Sequence, residues 1–558
     1  MSGNGNIATA ASAAATADTA SSFSGTADFS FVDVDGAVPA LSLSVTPRHD
    51  TIGIGSGLKS TQVCVTVKAR DLPDDDENGD QTRASVDIVV ALDVSGSMAG
   101  DKLDQCKETL ELLLRALLPR DRFGLITFAS DARIDIPAQS MTAQNKEAAL
   151  RKIKALQTRG CTNISAAIGL ASQEMKMIES ANEVRTIFLL TDGHANEGMT
   201  DAKDVTLATK RCLVEGVSSF DADTSTSTSK SGDRCLDGFM KKLSVLSPSS
   251  SSSSIPKDIS MKSETKDDSP PISLHCFGYG VDHDSQFLRQ VSNATPGGTY
   301  YFVKNDSNVG AAFGDALGGI LSVVAQSAMV NIKVLPEASN LGVTVKIYHA
   351  DQLQRGMDLY SVTLGDFYAE ESRDVVFDLA LATPLKGKAG GDGSSIPHVQ
   401  ITLAATDAIQ KRPLMIGPVT CSVKRPDAND ISEANHHVLV QWLRVYATQE
   451  MADAEKLASD GKLAAARAKV QKAMQTIQGT PGVDQSHGLV RQLTAELETI
   501  SEGLSSRHTY SSGGAHYIHR SLQTHTYQRC AEDTHETPNV YRSSNKASMS
   551  LAFSPRKK

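Results

Sequence analysis

The chain has 558 residues, too many for a single hydrophobic core, and this length predicts several domains. Hydrophobic residues make up 40% and charged residues 22%, so the composition is that of a globular protein and excludes disorder of the whole chain. The net charge of -10 repels phosphate groups, and we therefore expect no nucleic acid among the partners.

Three further features of the sequence bear on location. The best candidate for a membrane segment, residues 110–118, is short and interrupted by Glu111 and Arg115, so we expect no membrane span. The first basic residue is Arg48, and the N-terminus lacks the pattern of a signal peptide. The eight cysteines include no CxxC pair, which argues against a zinc module and a disulfide scaffold. We expect a reducing, cytoplasmic environment.

The N-terminal part of the chain predicts strands after a disordered segment. Residues 1–40 are small and polar, and we expect them to be disordered. Residues 41–70 alternate between apolar and polar side chains, which indicates half-buried strands. We hypothesise that these strands join a later β module. Pairing of Val63, Val65 and Val67 with strands after residue 327 would test that hypothesis. An acidic linker follows at residues 71–80.

Strands and helices alternate over residues 84–325, which predicts an α/β domain with a doubly wound, mostly parallel sheet between covering helices. The unbroken apolar run within residues 85–93 indicates a central strand that is buried on both faces. Residues 217–271 are rich in serine and read as a surface insertion around one short helical piece at residues 236–246.

The C-terminal half predicts two further regions and a tail. Residues 327–426 have a period of two, typical of an all-β, sandwich-like module. Residues 430–505 predict helical hairpins separated by short turns. Residues 506–558 read as a polar tail. Three of the five histidines in the tail could bind a transition metal, but we favour a solvated tail. These histidines are His516, His519 and His525.

Three short motifs follow predicted strands or precede a helix of the α/β domain. They are Asp93-Val94-Ser95-Gly96-Ser97, Gly160-Cys161-Thr162-Asn163 and Thr191-Asp192-Gly193. In open α/β sheets, ligands bind outside the carboxyl ends of the strands, so the three motifs are expected at one edge. Together they resemble the metal-ion-dependent adhesion site of von Willebrand factor A domains. This resemblance implies a Rossmann-like fold over residues 84–325.

The resemblance also implies a set of metal ligands for Mg²⁺ or another divalent cation. Mg²⁺ prefers octahedral oxygen ligands. Ser95, Ser97 and Thr162 would offer neutral oxygens, and Asp93 and Asp192 would supply the negative charge. The alternative is that these residues only cap helices and form turns. All five in this order favour the metal site, because capping gives no reason for them to converge.

The implied function is metal-bridged protein binding, in which a partner protein supplies a carboxylate to the cation. We therefore expect an intracellular adaptor or binding module with no catalytic residues, no organic cofactor and no enzymatic activity. If the family geometry holds, the β and helical regions serve as a scaffold.

A second resemblance covers the C-terminal half, where a β module is followed by helical hairpins and by residues 517–528. It looks like the region after the A domain in intein-associated A-domain proteins and in the plant wavy-growth family of RING ubiquitin ligases. A RING needs paired Cys/His zinc ligands, and this sequence has no such array. The alternative function is therefore a component of ubiquitin transfer that has no RING of its own.

Overall fold

The computed structural model describes residues 27–29, 38–72, 83–216, 270–304, 308–348, 353–356, 358–381, 395–531 and 539–554. The serine-rich insertion, its expected helix at residues 236–246 and most of the acidic linker lie outside the described residues. So does most of the segment expected to be disordered at the N-terminus. Within the described ranges, no helix combines the length and the apolar character needed to cross a bilayer.

The first strands are β1 (Ala27–Phe29), β2 (Leu41–Pro47) and β3 (Ser60–Ala69), with a single helical turn at Ile54–Ser56. β1 pairs antiparallel with β2, and β2 with β3. The strand β1 corrects the expectation of disorder for its three residues. Its backbone N–H and C=O groups form hydrogen bonds with β2. Pairing between segments that are distant in sequence leaves no local sequence pattern that would predict a strand.

A six-stranded sheet forms the centre of the α/β domain. Its strands are β4 (Val86–Asp93), β5 (Arg122–Phe128), β6 (Ala132–Ser140), β7 (Val184–Thr191), β8 (Ile272–Tyr279) and β9 (Thr299–Val303). They lie in the order β6-β5-β4-β7-β8-β9, and every neighbouring pair is parallel except β5 and β6. The predicted α/β fold class is therefore confirmed.

Helices cover both faces of this sheet. They are α1 (Asp101–Ala116), α2 (Ala143–Lys154), α3 (Ile164–Lys176), α4 (Ala202–Leu213), α5 (Ser285–Ser292) and α6 (Val309–Ile320). Every residue of β4 is buried. Its alternate side chains Ile88, Val90 and Leu92 belong to one apolar cluster, and Val89 and Ala91 belong to the cluster on the other face. The apolar run in the sequence thus reflects a strand between two helical layers.

Two five-stranded sheets pack face to face in a β-sandwich, which contains β1 to β3 and the strands that follow the α/β domain. The remaining strands are β10 (Val323–Val334), β11 (Val345–Ile347), β12 (Leu353–Arg355), β13 (Leu359–Tyr368), β14 (Ser372–Ala380), β15 (Ser395–Asp407) and β16 (Arg412–Lys424), with a helical turn at Pro336–Ser339. One sheet has the order β1-β2-β3-β14-β11 and the other β12-β13-β10-β15-β16. A single apolar cluster contains side chains from both sheets.

The N-terminal strands belong to this sandwich. In the antiparallel pair of β3 and β14, Val63 lies opposite Phe377 and Val65 lies opposite Val375. Val67 lies opposite Arg373. The hypothesised pairing with strands after residue 327 is therefore present. The α/β domain is inserted in the chain between β3 and β10, which lie in different sheets of the sandwich.

Helices follow the sandwich. They are α7 (His436–Ser459), α8 (Leu463–Gly479), α9 (Gly488–Gly503), α10 (Ala515–Tyr527) and α11 (Ser544–Phe553), with short helical segments at Arg507–Thr509 and Tyr510–Gly514. Gly461, with φ of 78°, forms the turn between α7 and α8 in a conformation that favours glycine. Ala454 and Ala458 of α7 share an apolar cluster with Ala466 and Val470 of α8.

The expected solvated tail is wrong for α10 and α11. His516, His519 and His525 on α10 are all buried. His519 lies 2.7 Å from Ser285 Oγ of the α/β domain, and His525 lies 3.1 Å from Glu496 of α9. The three rings have separate partners and do not converge on a metal. Polar residues appear solvated in sequence, because partners that are distant along the chain leave no local signal.

Candidate metal centre

Three loops meet at the carboxyl ends of β4 and β7. The Gly96 amide donates to the Gly160 carbonyl at 3.3 Å, and the Arg159 amide donates to the Val94 carbonyl at 2.6 Å. The loop after β7 is joined to the others because the Asn196 amide donates to the Thr162 carbonyl at 3.2 Å. All three predicted motifs therefore lie at one sheet edge, where parallel α/β sheets bind their ligands.

Asp93, the last residue of β4, is completely buried at the base of this edge. Its Oδ1 accepts a hydrogen bond from the Ser95 amide at 2.8 Å, and its Oδ2 accepts one from the Thr191 hydroxyl at 2.6 Å. Burial raises the pKa of Asp93 because it disfavours the charged form, although the hydrogen bonds from Thr191 and Ser95 oppose the shift. Both donors to this carboxylate are uncharged.

Ser95, Ser97 and Asp192 continue the cluster outward. The Ser95 and Ser97 hydroxyl oxygens lie 3.1 Å apart, and the Ser97 hydroxyl donates to Asp192 Oδ1 at 2.7 Å. Ser95 and Asp192 are buried, whereas Ser97 is exposed. Four of the five predicted ligands thus form one connected group that opens to solvent at Ser97.

Thr162 lies beside the loop that follows Asp192. It is buried, and a Cβ placed on Gly193 would lie 3.4 Å from the Thr162 hydroxyl oxygen. The Thr162 amide donates to Asn196 Oδ1 at 3.0 Å, which fixes the backbone of its own loop. The hydroxyl is therefore next to the Asp192-Gly193 backbone, although it makes no direct bond to the other four residues among the contacts described.

Lys102 is a part of this centre that the sequence reasoning missed. Its ammonium nitrogen lies 2.5 Å from Asp192 Oδ2, and 28% of the lysine side chain is exposed. Lys102 is the second residue of α1, where the positive end of the helix dipole disfavours a cation. A lysine in a first helical turn therefore indicates an anionic partner. That signal was available in the sequence. Thr191 was also not identified from the sequence as a hydrogen-bond donor to Asp93.

The donor set has the chemistry of a site for a hard cation. Two buried carboxylates and three hydroxyls gather at one edge, and these are the oxygen ligands that Mg²⁺ takes. Asp93 has only neutral donors around it, so part of the negative charge of the cluster is unbalanced by Lys102. The residues present fit a divalent cation.

Comparison with protein families agrees with the geometry. Residues 87–314 match the family model "von Willebrand factor type A domain", and residues 487–550 match "VWA / Hh protein intein-like". Both resemblances stated from the sequence are therefore confirmed. All five predicted ligands lie inside the first match. A solved structure with the same fold, a von Willebrand factor type A protein from Catenulispora acidiphila, covers 83% of this chain and 90% of its own, with a TM-score of 0.56 and 15% identity.

Two curated plant relatives share the α/β region. The E3 ubiquitin-protein ligase WAVH1 of Arabidopsis thaliana is 26% identical over 167 residues, which are 28% of this chain and 24% of that protein. The E3 ubiquitin-protein ligase WAV3 of the same plant is 29% identical over 163 residues, 27% of this chain and 21% of that protein. The chain thus spans less than a quarter of each relative. The expectation of no enzymatic activity is wrong in view of these relatives, because both are named as ligases.

Proposed function

Because the chain contains a von Willebrand factor type A domain, a typical protein-interaction module, we propose that it binds a partner protein through a divalent cation at the candidate metal centre. The single observation that supports this most strongly is the connected group of Asp93, Ser95, Ser97 and Asp192 at one sheet edge. Their sequence separation makes a purely local turn or cap an insufficient explanation for the grouping.

Each residue has a distinct part in the proposal. Asp93 and Asp192 hold the cation by charge, while Ser95, Ser97 and Thr162 supply neutral oxygens. The exposure of Ser97 leaves the outer side of the group open to a partner. When bound, Mg²⁺ supplies a hard positive charge that a partner carboxylate neutralises. The two buried carboxylates otherwise repel that carboxylate, so binding of an acidic partner is expected to require the metal.

Calorimetric titration of the full chain with MgCl₂ tests the metal-binding part. We expect saturable uptake by the wild type and loss of uptake in Asp93→Asn. Asp104→Asn, an exposed acidic residue on α1, is the matched control and should bind like the wild type. Equal uptake by Asp93→Asn and the wild type would contradict the proposed ligand set.

Affinity capture tests the partner-binding part. Proteins that bind immobilised wild-type chain in Mg²⁺ should be lost with EDTA and also with immobilised Asp93→Asn. Each acidic residue at the surface of a protein captured in this way is then replaced by its amide, and one replacement should abolish binding. Capture that persists in EDTA would contradict metal bridging.

A second candidate function is participation in ubiquitin transfer, as proposed from the similarity of the α/β region to WAVH1 and WAV3. Under this second candidate function, the candidate metal centre binds the protein to which ubiquitin is transferred. A reconstituted reaction with purified E1, E2, ubiquitin, a RING ligase that is captured with the chain, and a second captured protein as the acceptor tests it. Adding the chain should increase ubiquitin on the partner, and adding Asp93→Asn should not. Conjugation that is the same with and without the chain would exclude this role.

A reducing, cytoplasmic location is part of the proposal. Seven cysteines among the described residues form no disulfide bond, and all of them except Cys161 are buried. Free thiols persist in reducing compartments. Cell fractionation with an antibody to the chain tests the location, and recovery from an oxidising compartment would contradict it.

A further inference from the structure

A second group of potential metal ligands lies far from the candidate metal centre, on the face of the sandwich that α7 covers. Cys64 and Thr66 lie two residues apart on β3 and therefore on one face of the sheet. Asp374 of β14 pairs directly with Thr66 across the sheet. His437 lies in the first turn of α7, above these strands.

The three atoms able to bind a metal are close together. His437 Nε2 lies 2.9 Å from Asp374 Oδ1, and Cys64 Sγ lies 3.3 Å from the same oxygen. All three ligand atoms lie within 4.8 Å of one another. With Zn–ligand bonds of about 2.0 to 2.3 Å, tetrahedral ligands are roughly 3.3 to 3.8 Å apart. Small side-chain shifts would therefore suffice for three ligands to share one ion.

The backbone that presents Asp374 is held on both sides. Its amide donates to Gln528 Oε1 at 2.9 Å. Its carbonyl accepts from Gln528 Nε2 at 3.0 Å and from Arg444 at 3.0 Å. The Thr66 hydroxyl lies 2.5 Å from the Asp374 carboxylate and is available to orient it. Such surrounding hydrogen bonds fix ligand direction at metal sites.

Access and charge are also suitable. Cys64 and Asp374 are buried, but 47% of the His437 side chain is exposed, which leaves a path from solvent. A thiolate and a carboxylate would together supply two negative charges against the two positive charges of the ion. The nearby Arg444 guanidinium is engaged with the Asp374 carbonyl and with Gln441.

A hydrogen-bond network without a metal explains the grouping of Cys64, Asp374 and His437 less completely than a metal site does. Asp374 already receives the Thr66 hydroxyl and the His437 ring, and the hydrogen bond to Asp374 raises the pKa of His437. An S–H group is a weak donor, so Cys64 adds little to such a network. Sulfur, imidazole and carboxylate together are the ligand types that zinc takes.

We propose that Cys64, Asp374 and His437 form a binding site for Zn²⁺ or a similar transition-metal ion, with the fourth position open to water or Thr66. Binding of the ion displaces the Cys64 thiol proton to solvent. The proton on His437 Nε2 must also leave that nitrogen, and it passes to Nδ1 of a neutral ring or to solvent from a protonated ring. The softer sulfur and nitrogen ligands separate this site from the all-oxygen centre at Asp93.

Cobalt titration of the full chain tests the proposal, because a thiolate bound to Co²⁺ produces a charge-transfer absorption band that oxygen ligands cannot produce. The background is Cys161→Ser with Cys235→Ser, which removes the exposed thiol and the thiol of the serine-rich insertion. We expect the band to saturate near one equivalent of Co²⁺, to disappear on addition of Zn²⁺ and to persist with excess Mg²⁺.

Variants assign the band to the site. Cys64→Ser should abolish it, and Cys421→Ser, a buried thiol on β16, should leave it unchanged. If Cys64→Ser does not fold, His437→Gln at the partly exposed ligand should weaken cobalt binding by about tenfold or more. Asp93→Asn should keep the band, so this result is independent of the function proposed above. Absence of the band in the background chain, its persistence in Cys64→Ser or unchanged affinity in His437→Gln would overturn the proposal.

Discussion

The Lys102 ammonium lies 2.5 Å from the Asp192 carboxylate, so the candidate metal centre already has one positive charge at its outer acidic residue. This pair offsets the charge of Asp192 and leaves that of Asp93 without an ionic partner among the contacts described. It also means that a divalent cation at Asp192 must share or replace the contact with Lys102. In the proposed function, the affinity for the metal therefore depends on the lysine as well as on the five oxygen-bearing side chains.

Replacing Lys102 should strengthen metal binding. Lys102→Met removes the competing positive charge and keeps the length of the apolar stem. We expect the dissociation constant for Mg²⁺ to fall by about tenfold, which corresponds to ~1.4 kcal/mol. Titration calorimetry at one fixed ionic strength measures this change. Lys107→Met, further along α1 at an exposed ion pair with Asp104, should bind Mg²⁺ like the wild type. Weaker binding by Lys102→Met would show that the lysine supports the metal.

Asp93→Asn should stabilise the metal-free chain. Burial of the Asp93 carboxylate disfavours its charged form, and an asparagine side chain can bond to both the Ser95 amide and the Thr191 hydroxyl. We expect the free energy of unfolding to increase by about 1 kcal/mol in EDTA. Mg²⁺ should then raise the melting temperature of the wild type and leave the variant unchanged. A lower midpoint for the variant in EDTA would refute the expectation.

Acidification should destabilise the contact between α10 and the α/β domain. Burial, together with the nearby His516, lowers the pKa of His283 to about 3, from an ordinary value of 6.5. The stability from the neutral ring is fully present above pH 6.5 and is lost as the pH falls toward 3, because only the unfolded chain takes up the proton. One such group contributes a slope of about 1.4 kcal/mol per pH unit.

Denaturant unfolding between pH 7 and pH 4 measures that slope. His283→Gln should reduce it by the contribution of one group, while His508→Gln, at an exposed position, should leave it unchanged. A slope that is equal in the His283 variant and the wild type would contradict the assignment.

Arg529 should be critical for stability. It donates to Glu371 at 3.1 Å, to the Asp366 carbonyl at 2.5 Å and to the Gly297 carbonyl at 2.9 Å, and so joins the sandwich to the α/β domain. Removing one member of a buried ionic network costs about 3 to 5 kcal/mol, so Arg529→Met should lose roughly 3 kcal/mol of unfolding free energy. Urea denaturation measures the loss. Arg491→Met, exposed on α9, is the control, and an equal effect in both variants would exclude a special role.

The parts of the fold that follow from local pattern were predictable. The apolar run of β4 identified a strand buried on both faces, and the motif after it placed Asp93, Ser95 and Ser97 at the sheet edge. Strand alternation also indicated β3, and the hypothesis that it joins later strands agrees with the pairing of Val65 and Val375. Each of these features depends on a hydrophobic period or a short motif that can be read within one segment of the sequence.

The parts that depend on distant partners were not predictable. His519 looks like a tail residue until Ser285 and Glu455 are seen beside it. In the same way, the closeness of Cys64, Asp374 and His437 depends on strand register and helix placement. Lys102 was predictable in part. Its position in the first turn of α1 indicates an anionic partner, but the sequence does not show that this partner is Asp192.

The insertion of the α/β domain between β3 and β10 has a consequence for biosynthesis. As the nascent chain leaves the ribosome, β2 and β3 emerge early, but β14 follows only after the whole of the inserted domain. Until then β3 has an edge of unpaired backbone N–H and C=O groups, and its apolar face with Val63, Val65 and Val67 lacks the opposing sheet, so the strand is open to aggregation. We expect this stretch to be the one that molecular chaperones protect during translation.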